Sequence, residues 1–199
     1  MHINSNELVD LDKVLAFARE KHKGHLRLDG SEYITHPIRV SELVRKYKPS
    51  SNANILAAGA LLHDVLEDTY TSYRELKDLF GEVVASLVME VTSSTYVPKL
   101  IGKQLYLAHK MRYMSSYALV IKLADRLDNV TDISALPEEK LKKTFFDTIY
   151  MVNYIENKRI LTDAQSNLIK AIRERLNTIN EQFAFTNKGL VQYTDIDQD

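Results

Sequence analysis

The 199-residue sequence contains no cysteine, which excludes disulfide bridges and zinc sites built from thiolates. It also lacks an excess of either charge, since 26 lysine and arginine residues face 27 aspartate and glutamate residues. No overall field therefore favours nucleic acid or an anionic membrane. No apolar run is long enough to span a bilayer, and the first residues lack the pattern of a secretory signal. We therefore expect a soluble, cytoplasmic protein without nucleic-acid or membrane partners, and leave its oligomeric state open.

No alternating strand pattern persists in the sequence, whereas apolar residues recur at three- and four-residue spacing. This spacing predicts an all-α, single-domain helical bundle. We place the domain at residues 1–183 and expect the polar segment 184–199 to form a loosely ordered C-terminal tail. Helices are predicted at residues 7–23, 35–47, 53–68, 73–80, 82–91, 105–114, 117–130, 137–154 and 163–183. Asn6, Thr35 and Asp163 are the predicted caps, and residues 24–33 and 92–103 are predicted to be irregular.

The end of the apolar helix predicted at 53–68 carries His63, Asp64, Glu67 and Asp68. Residues three or four positions apart share a helix face, so this end should present an imidazole and three carboxylates to one cavity. Four ionisable groups at the end of a buried helix are costly unless something compensates their charge. A divalent metal ion would compensate them.

Two residues from other segments could complete a metal site. His36 lies at the start of an earlier predicted helix, and Asp125 lies on a later helix, four residues before Asn129. With His63 and a carboxylate they form a nitrogen and oxygen ligand set that suits Mn²⁺, Fe²⁺, Zn²⁺ or Mg²⁺, with a preference for a transition metal. Spacing alone does not choose among these ions. The alternative is that His63 and Asp64 are a hydrogen-bonded buried pair without a metal.

Several motifs together resemble the HD superfamily of metal-dependent phosphohydrolases and, more narrowly, the hydrolase domain of RelA/SpoT homologues. In chain order they are residues 27–30 (RLDG), 33–37 (YITHP), 60–69 (ALLHDVLEDT), 80–81 (FG), 90–92 (EVT) and 122–129 (KLADRLDN). Residues 98–100 (PKL) are similar to the small stand-alone hydrolases of this family, including the metazoan SpoT homologue. The resemblance covers residues 8–154 and implies an HD phosphohydrolase fold. Because the family's synthetase and regulatory domains would not fit in this length, we expect a single-domain small alarmone hydrolase.

The resemblance also implies roles for individual residues. One Mn²⁺ ion, with other divalent transition metals left open, would be held by His36, His63, Asp64 and Asp125. An acidic pair that handles the attacking water matches Glu67 and Asp68. The implied substrate contacts are Arg27 beside the base, Lys99 at phosphate oxygens, Asn129 at the nucleotide and Tyr150 near the ribose.

The activity implied by the resemblance is that of a Mn²⁺-dependent guanosine-3′,5′-bis(diphosphate) 3′-pyrophosphohydrolase, which converts (p)ppGpp to GDP or GTP and pyrophosphate. Three positions depart from the family pattern. Leu28 stands where the family often has lysine, Ser31-Glu32 replaces Glu-Pro, and Asp128 stands where histidine or tyrosine is common. Leu28 removes a cation near the base or phosphates, which leaves the choice of substrate open. The alternative functions are an NADPH phosphatase, an adenosine-alarmone hydrolase, another HD nucleotide phosphohydrolase, or a non-catalytic nucleotide sensor.

Overall fold

The computed structural model describes residues 9–131, 133 and 136–185, and helices dominate this part of the chain. The described helices are α1 (Leu11–Lys21), α2 (Thr35–Tyr47), α3 (Ala53–Leu61), α4 (Val65–Asp68), α5 (Tyr73–Val91), α6 (Val97–Ile101), α7 (Lys103–Tyr113), α8 (Ser116–Thr131), α9 (Glu138–Lys158) and α10 (Asp163–Phe183). One isolated antiparallel bridge joins Leu26 to Glu32. The all-α prediction is confirmed. The predicted cap Asn6 and most of the predicted tail lie outside the described residues.

Helix α3 lies in the centre of the bundle because its residues are apolar on every side, as expected of a buried helix. All residues from Ile55 to Leu61 are buried. The helix packs against α1, α2, α5 and α8. Gly59 permits this close packing, since a Cβ atom there would lie 2.7 Å from Leu87 Cδ2 and 3.0 Å from Ile121 Cδ1.

Helix α8 forms a second central element and packs against α2, α3, α5, α9 and α10. The helix contains β-branched residues near its start, which favour strands. It is nevertheless helical, because Leu119, Leu123 and Leu127 recur at helical spacing and form one buried face. The helix prediction for this segment is confirmed. The packing of α2, α3 and α8 brings three distant parts of the sequence to one place.

The single helix predicted at residues 53–68 is wrong, because the chain leaves helical geometry after Leu61. Leu62 has φ −105° and ψ 1°, and Asp64 has φ −103° and ψ −5°. The His63 Nδ1 atom lies 2.8 Å from the carbonyl oxygen of Ala60, which a continuous helix would use for the amide of Asp64. His63 and Asp64 therefore occupy a turn between α3 and α4 rather than one regular helix face.

Several helix starts also differ from the predictions. Helix α1 begins at Leu11, where Asp10 Oδ1 accepts the amides of Asp12 and Lys13 at 3.0 and 3.1 Å. Helix α2 begins at Thr35 as predicted, but Ile34 is its N-cap. The cap of α10 is Thr162 rather than Asp163. Its amide donates to Gln165 Oε1 at 3.0 Å, a pairing typical of a capping box.

Two glycine residues with positive φ interrupt or separate helices. The predicted break at Gly81 is confirmed, because Gly81 has φ 85° and ψ 162° in the middle of α5. Residues 92–103 were predicted to be irregular, but they contain the short helix α6. Gly102, with φ 88°, separates α6 from α7, and glycine adopts this left-handed conformation without steric cost.

Among the helices of the described residues, none is both long enough and apolar enough to cross a membrane.

Candidate active site

His36, His63 and Asp125 converge from α2, the α3–α4 turn and α8. One possible ligand atom from each lies within 4.8 Å of the others, and all three residues are buried. His36 Nε2 lies 3.3 Å from Asp125 Oδ1, and His63 Nε2 lies 3.8 Å from the same oxygen. Asp64 joins this group, since its Oδ2 lies 3.0 Å from His63 Nε2 and 3.8 Å from His36 Nε2. All four residues predicted as metal ligands are therefore neighbours.

The two nitrogens of His63 have different surroundings. Nδ1 lies beside the Ala60 carbonyl, so this nitrogen carries the proton and Nε2 has a lone pair. Within the described part of the chain, the buried Nε2 atom makes no hydrogen bond. A buried lone pair directed at two carboxylates is unfavourable unless a cation lies between them. The residues therefore fit a divalent metal ion, and their chemistry suits a transition metal.

Electrostatics favour the ionised form of both aspartates. Burial opposes ionisation of Asp64, but His63, in the protonated form of its ring, and Lys122 outweigh burial and hold the pKa of Asp64 below its usual range. Burial also opposes ionisation of Asp125, but Lys122 and His36 hold its pKa well below the usual range. Lys122 Nζ lies 3.2 Å from Asp125 Oδ2, and the carboxylate in turn raises the pKa of this lysine against the effect of burial.

A second carboxylate orients His36. Asp128 Oδ2 lies 2.6 Å from His36 Nδ1, and both residues are only 2% exposed. Arg39 donates to both oxygens of Asp128, through Nε at 2.6 Å and Nη2 at 3.0 Å. Burial lowers the pKa of His36, but hydrogen bonds with Asp125 and Asp128 outweigh it and raise the pKa to about 9.

Glu67 and Asp68 lie on α4, beside the ligand group and partly in solvent. The amide of Ser93 donates to Glu67 Oε2 at 3.0 Å, which fixes this carboxylate. The Tyr33 hydroxyl lies 2.5 Å from Asp64 Oδ2 and 3.3 Å from Asp68 Oδ2, so it links the ligand group to the acidic pair. Partial burial and the charges of Asp64 and Glu67 raise the pKa of Asp68. A carboxylate with a raised pKa is a stronger base.

These groups open into a cavity of about 550 Å³. Besides Arg27, its walls carry five cations to which the sequence assigned no role: Lys103, Lys122, Arg126, Lys140 and Lys143. Lys122 pairs with Asp125, and Lys143 lies 2.9 Å from Asp147. A metal-ligand group beside a cation-rich wall suits a substrate with several phosphate groups.

The predicted substrate contacts are only partly brought together. Arg27 and Asn129 line the cavity. Asn129 Nδ2 also donates to Asp125 Oδ1 at 2.6 Å, so it orients a predicted metal ligand. Tyr150 lines an adjoining cavity of about 240 Å³ that shares Lys103 and Lys143 with the first. Lys99 lies on α6 outside the residues that line either cavity, with its Nζ 5.9 Å from the centre of the Tyr96 ring.

Sequence reasoning missed several residues of this site. Tyr33 and Lys122 lie inside the recognised motifs, but no role was assigned to them. Lys140, Lys143 and Asp147 line the cavity from α9. Their three- and four-residue spacing places them on one helix face, a signal that could have been found in the sequence. Lys103 had no such signal, because the cavity's position relative to α7 depends on the tertiary fold.

Comparison with known proteins identifies the family. A family model described as HD domain matches residues 14–151. A guanosine-3′,5′-bis(diphosphate) 3′-pyrophosphohydrolase of Spiroplasma citri is 30% identical over 209 residues, which include 92% of this chain and 28% of that protein. The guanosine-3′,5′-bis(diphosphate) 3′-pyrophosphohydrolase MESH1 of Danio rerio is 34% identical over 139 residues, or 69% of this chain and 76% of that protein. The chain thus spans less than a third of the bacterial relative but about three quarters of the zebrafish one.

A solved structure of similar fold supports the same assignment. It is described as a metazoan ortholog of SpoT that hydrolyzes ppGpp and plays a role in starvation responses. The TM-score is 0.71 at 28% sequence identity, and the match covers 88% of this chain and 98% of that chain. The predicted HD fold is therefore confirmed.

Proposed function

The chain belongs to the HD domain family, and from this premise we propose that it is a (p)ppGpp 3′-pyrophosphohydrolase. In the proposed reaction, water attacks the phosphorus atom attached to the ribose 3′ oxygen. The bond between this phosphorus and the 3′ oxygen breaks, the 3′ oxygen takes a proton, and pyrophosphate is released. The names of the similar proteins from Spiroplasma citri and Danio rerio support this substrate, as does the SpoT ortholog of similar fold.

The observation that carries the proposal is the buried group of two imidazoles and two carboxylates beside the acidic pair. We propose that one divalent ion, Mn²⁺, is held by His36, His63, Asp64 and Asp125. When bound, such an ion supplies Lewis acidity, which lowers the pKa of water and offsets charge on phosphate oxygens. The donor set of nitrogen and oxygen atoms, without thiolates, supports an ion of this class.

Glu67 and Asp68 are the proposed catalytic residues. Asp68 would accept the proton of the attacking water, because its raised pKa brings its basicity closer to the working pH. Glu67, held by the amide of Ser93, would orient that water. Tyr33 would keep Asp68 close to the ligand Asp64 through its hydroxyl.

The rest of the cavity would bind the nucleotide. Arg27 can stack its planar guanidinium on the base, and Asn129 lies where it can contact the nucleotide while it orients Asp125. Lys103, Lys140 and Lys143 line the cavity and would bind phosphate oxygens. Tyr150 remains our proposed ribose contact, and Lys99 remains a proposed phosphate contact that would require α6 to approach the cavity.

The test is the release of pyrophosphate from ppGpp by the purified protein. Added Mn²⁺ should give GDP and pyrophosphate in equal amounts, and chelation should stop the reaction until Mn²⁺ is returned. Release of single phosphate groups would contradict the proposal. Binding of ppGpp without turnover would instead favour a nucleotide sensor.

A substrate panel addresses the alternatives that Leu28 leaves open. Leu28 is 64% exposed at the cavity, so a base bound beside Arg27 would meet an apolar side chain. We expect a higher kcat/KM for ppGpp than for ppApp or NADPH with the same metal. Preference for NADPH would assign the site to a phosphatase. The cytoplasmic location and the absence of nucleic-acid partners remain predictions.

A further inference from the structure

Arg39, Asp128 and His36 form a line of contacts from the edge of the site to its metal-ligand group. Arg39 and His36 lie one turn apart on α2, whereas Asp128 comes from α8. The guanidinium of Arg39 holds both oxygens of Asp128, at 2.6 and 3.0 Å. Asp128 Oδ2 then lies 2.6 Å from His36 Nδ1. Such a bidentate pairing fixes the plane of the carboxylate as well as its position.

The contact with Asp128 determines which nitrogen of His36 can bind a metal. A carboxylate within hydrogen-bonding distance of Nδ1 favours a proton on that nitrogen. In the neutral imidazole that metal binding requires, the Nε2 atom then has the lone pair. It lies 3.3 Å from Asp125 Oδ1 and 3.8 Å from Asp64 Oδ2. Nε2 of His36 is therefore the ligand atom that faces the other members of the group.

His63 receives the same orientation from a neutral group, the carbonyl of Ala60. His36 differs because its partner carries a charge and is itself anchored by an arginine. A carboxylate partner makes the imidazole a stronger ligand than a carbonyl does. Asp128 is also one of the three positions at which the sequence departs from the RelA/SpoT pattern.

We propose that Asp128, anchored by Arg39, is a positioning residue that orients His36 and strengthens metal binding at this site. The inference rests on the metal site proposed above and is independent of the substrate. Asp128 is not one of the proposed ligands, and its carboxylate contacts His36 and Arg39. Its effect should therefore appear first in the dissociation constant for the ion.

The experiment is a titration of the full chain with Mn²⁺, with free Mn²⁺ followed by electron paramagnetic resonance. Asp128→Ala should raise the dissociation constant by about 10- to 100-fold, the usual effect of losing such a partner. Asp128→Asn keeps the shape and an acceptor oxygen but loses the charge, so a smaller, several-fold increase is expected. The control is Glu156→Gln, which removes another arginine-paired carboxylate, on the Arg173 contact, and should bind as the wild type does.

Circular dichroism would first establish that each variant is folded. If Asp128→Ala does not fold, the comparison of Asp128→Asn with the wild type decides the matter. Wild-type affinity in a folded Asp128→Ala protein, or in Asp128→Asn, would overturn the inference. If the wild type itself bound no Mn²⁺, the metal site would be wrong, and the inference would be overturned with it.

A spectroscopic measurement separates positioning from a general loss of stability. In the wild-type protein loaded with diamagnetic Zn²⁺, ¹⁵N NMR should show the His36 proton on Nδ1. A proton on Nε2 would contradict the proposed orientation. In Asp128→Ala, broadened or exchanging His36 signals are expected while those of His63 remain sharp.

Discussion

His22 offers a quantitative prediction for the pH dependence of stability. It is 2% exposed, and neither ring nitrogen has a hydrogen-bond partner within the described residues. Its ring lies against Tyr33, with 4.7 Å between ring centres. Burial lowers the pKa of His22 from 6.5 to about 4, because a charged imidazole would lose its hydration there.

The difference between the pKa of His22 in the folded and the unfolded chain determines how stability depends on pH. Between pH 6.5 and 4 the unfolded chain holds a proton on His22 that the folded protein does not. Stability therefore falls as the pH is lowered through this range and is restored above pH 6.5. At 1.36 kcal/mol per pKa unit, the full effect is about 3 kcal/mol. Between pH 7 and pH 5, protonation of His22 should lower the free energy of unfolding by roughly 2 kcal/mol.

The assay is urea unfolding of the wild type, His22→Leu and His22→Phe at pH 7 and pH 5. Both substitutions replace the imidazole with an apolar side chain that cannot titrate. A chelator is present in every sample, because loss of a bound metal at low pH would add its own pH dependence. Between pH 7 and pH 5, the free energy of unfolding of each variant should fall by roughly 2 kcal/mol less than that of the wild type. An equal loss in all three proteins would refute the reasoning.

Three further predictions concern the site and the helices beneath it. Asp64→Asn should abolish Mn²⁺ binding and turnover, and full Mn²⁺ affinity by calorimetry would count against its role as a ligand. Glu67→Gln should retain the metal but lower kcat by about 100-fold, and a wild-type rate would remove Glu67 from the mechanism. Gly59→Ala should destabilise the protein by about 1–3 kcal/mol in urea unfolding, because its Cβ would meet Leu87 at 2.7 Å. Unchanged stability would mean that the side chains of Leu87 and Ile121 can shift at no net cost.

The periodic parts of the sequence predicted the fold well. Helices α2 and α8 appear where the apolar stripe indicated them, and Gly81 breaks α5 as expected. Helix caps were harder, because Asn6, Thr35 and Asp163 are all plausible caps by residue type. The actual caps of α1 and α10, Asp10 and Thr162, depend on where the flanking chain turns. Local preference alone does not determine that turn.

The sequence predicted which residues would lie together, but not the geometry in which they do so. The proposed metal ligands and Glu67 and Asp68 were named from the sequence, and they are neighbours in the structure. The break at His63 was missed, because the stretch is uniformly apolar up to that point and its spacing suits a continuous helix. Lys103 was also missed, and Asp128 was noticed only as a departure from a pattern. Their roles depend on contacts between segments far apart in the chain.

The convergence of His36, His63 and Asp125 has a mechanical consequence. They come from three segments that are otherwise held together by side-chain packing and a few side-chain hydrogen bonds. An ion coordinated by all three residues would act as a reversible cross-link. It would close long loops of the polypeptide, as a disulfide does in proteins that contain cysteine. Because the unfolded chain would bind the ion more weakly than the folded protein, the melting temperature would rise with the concentration of the ion. The concentration of the ion would then determine the stability of the folded protein as well as its rate of turnover.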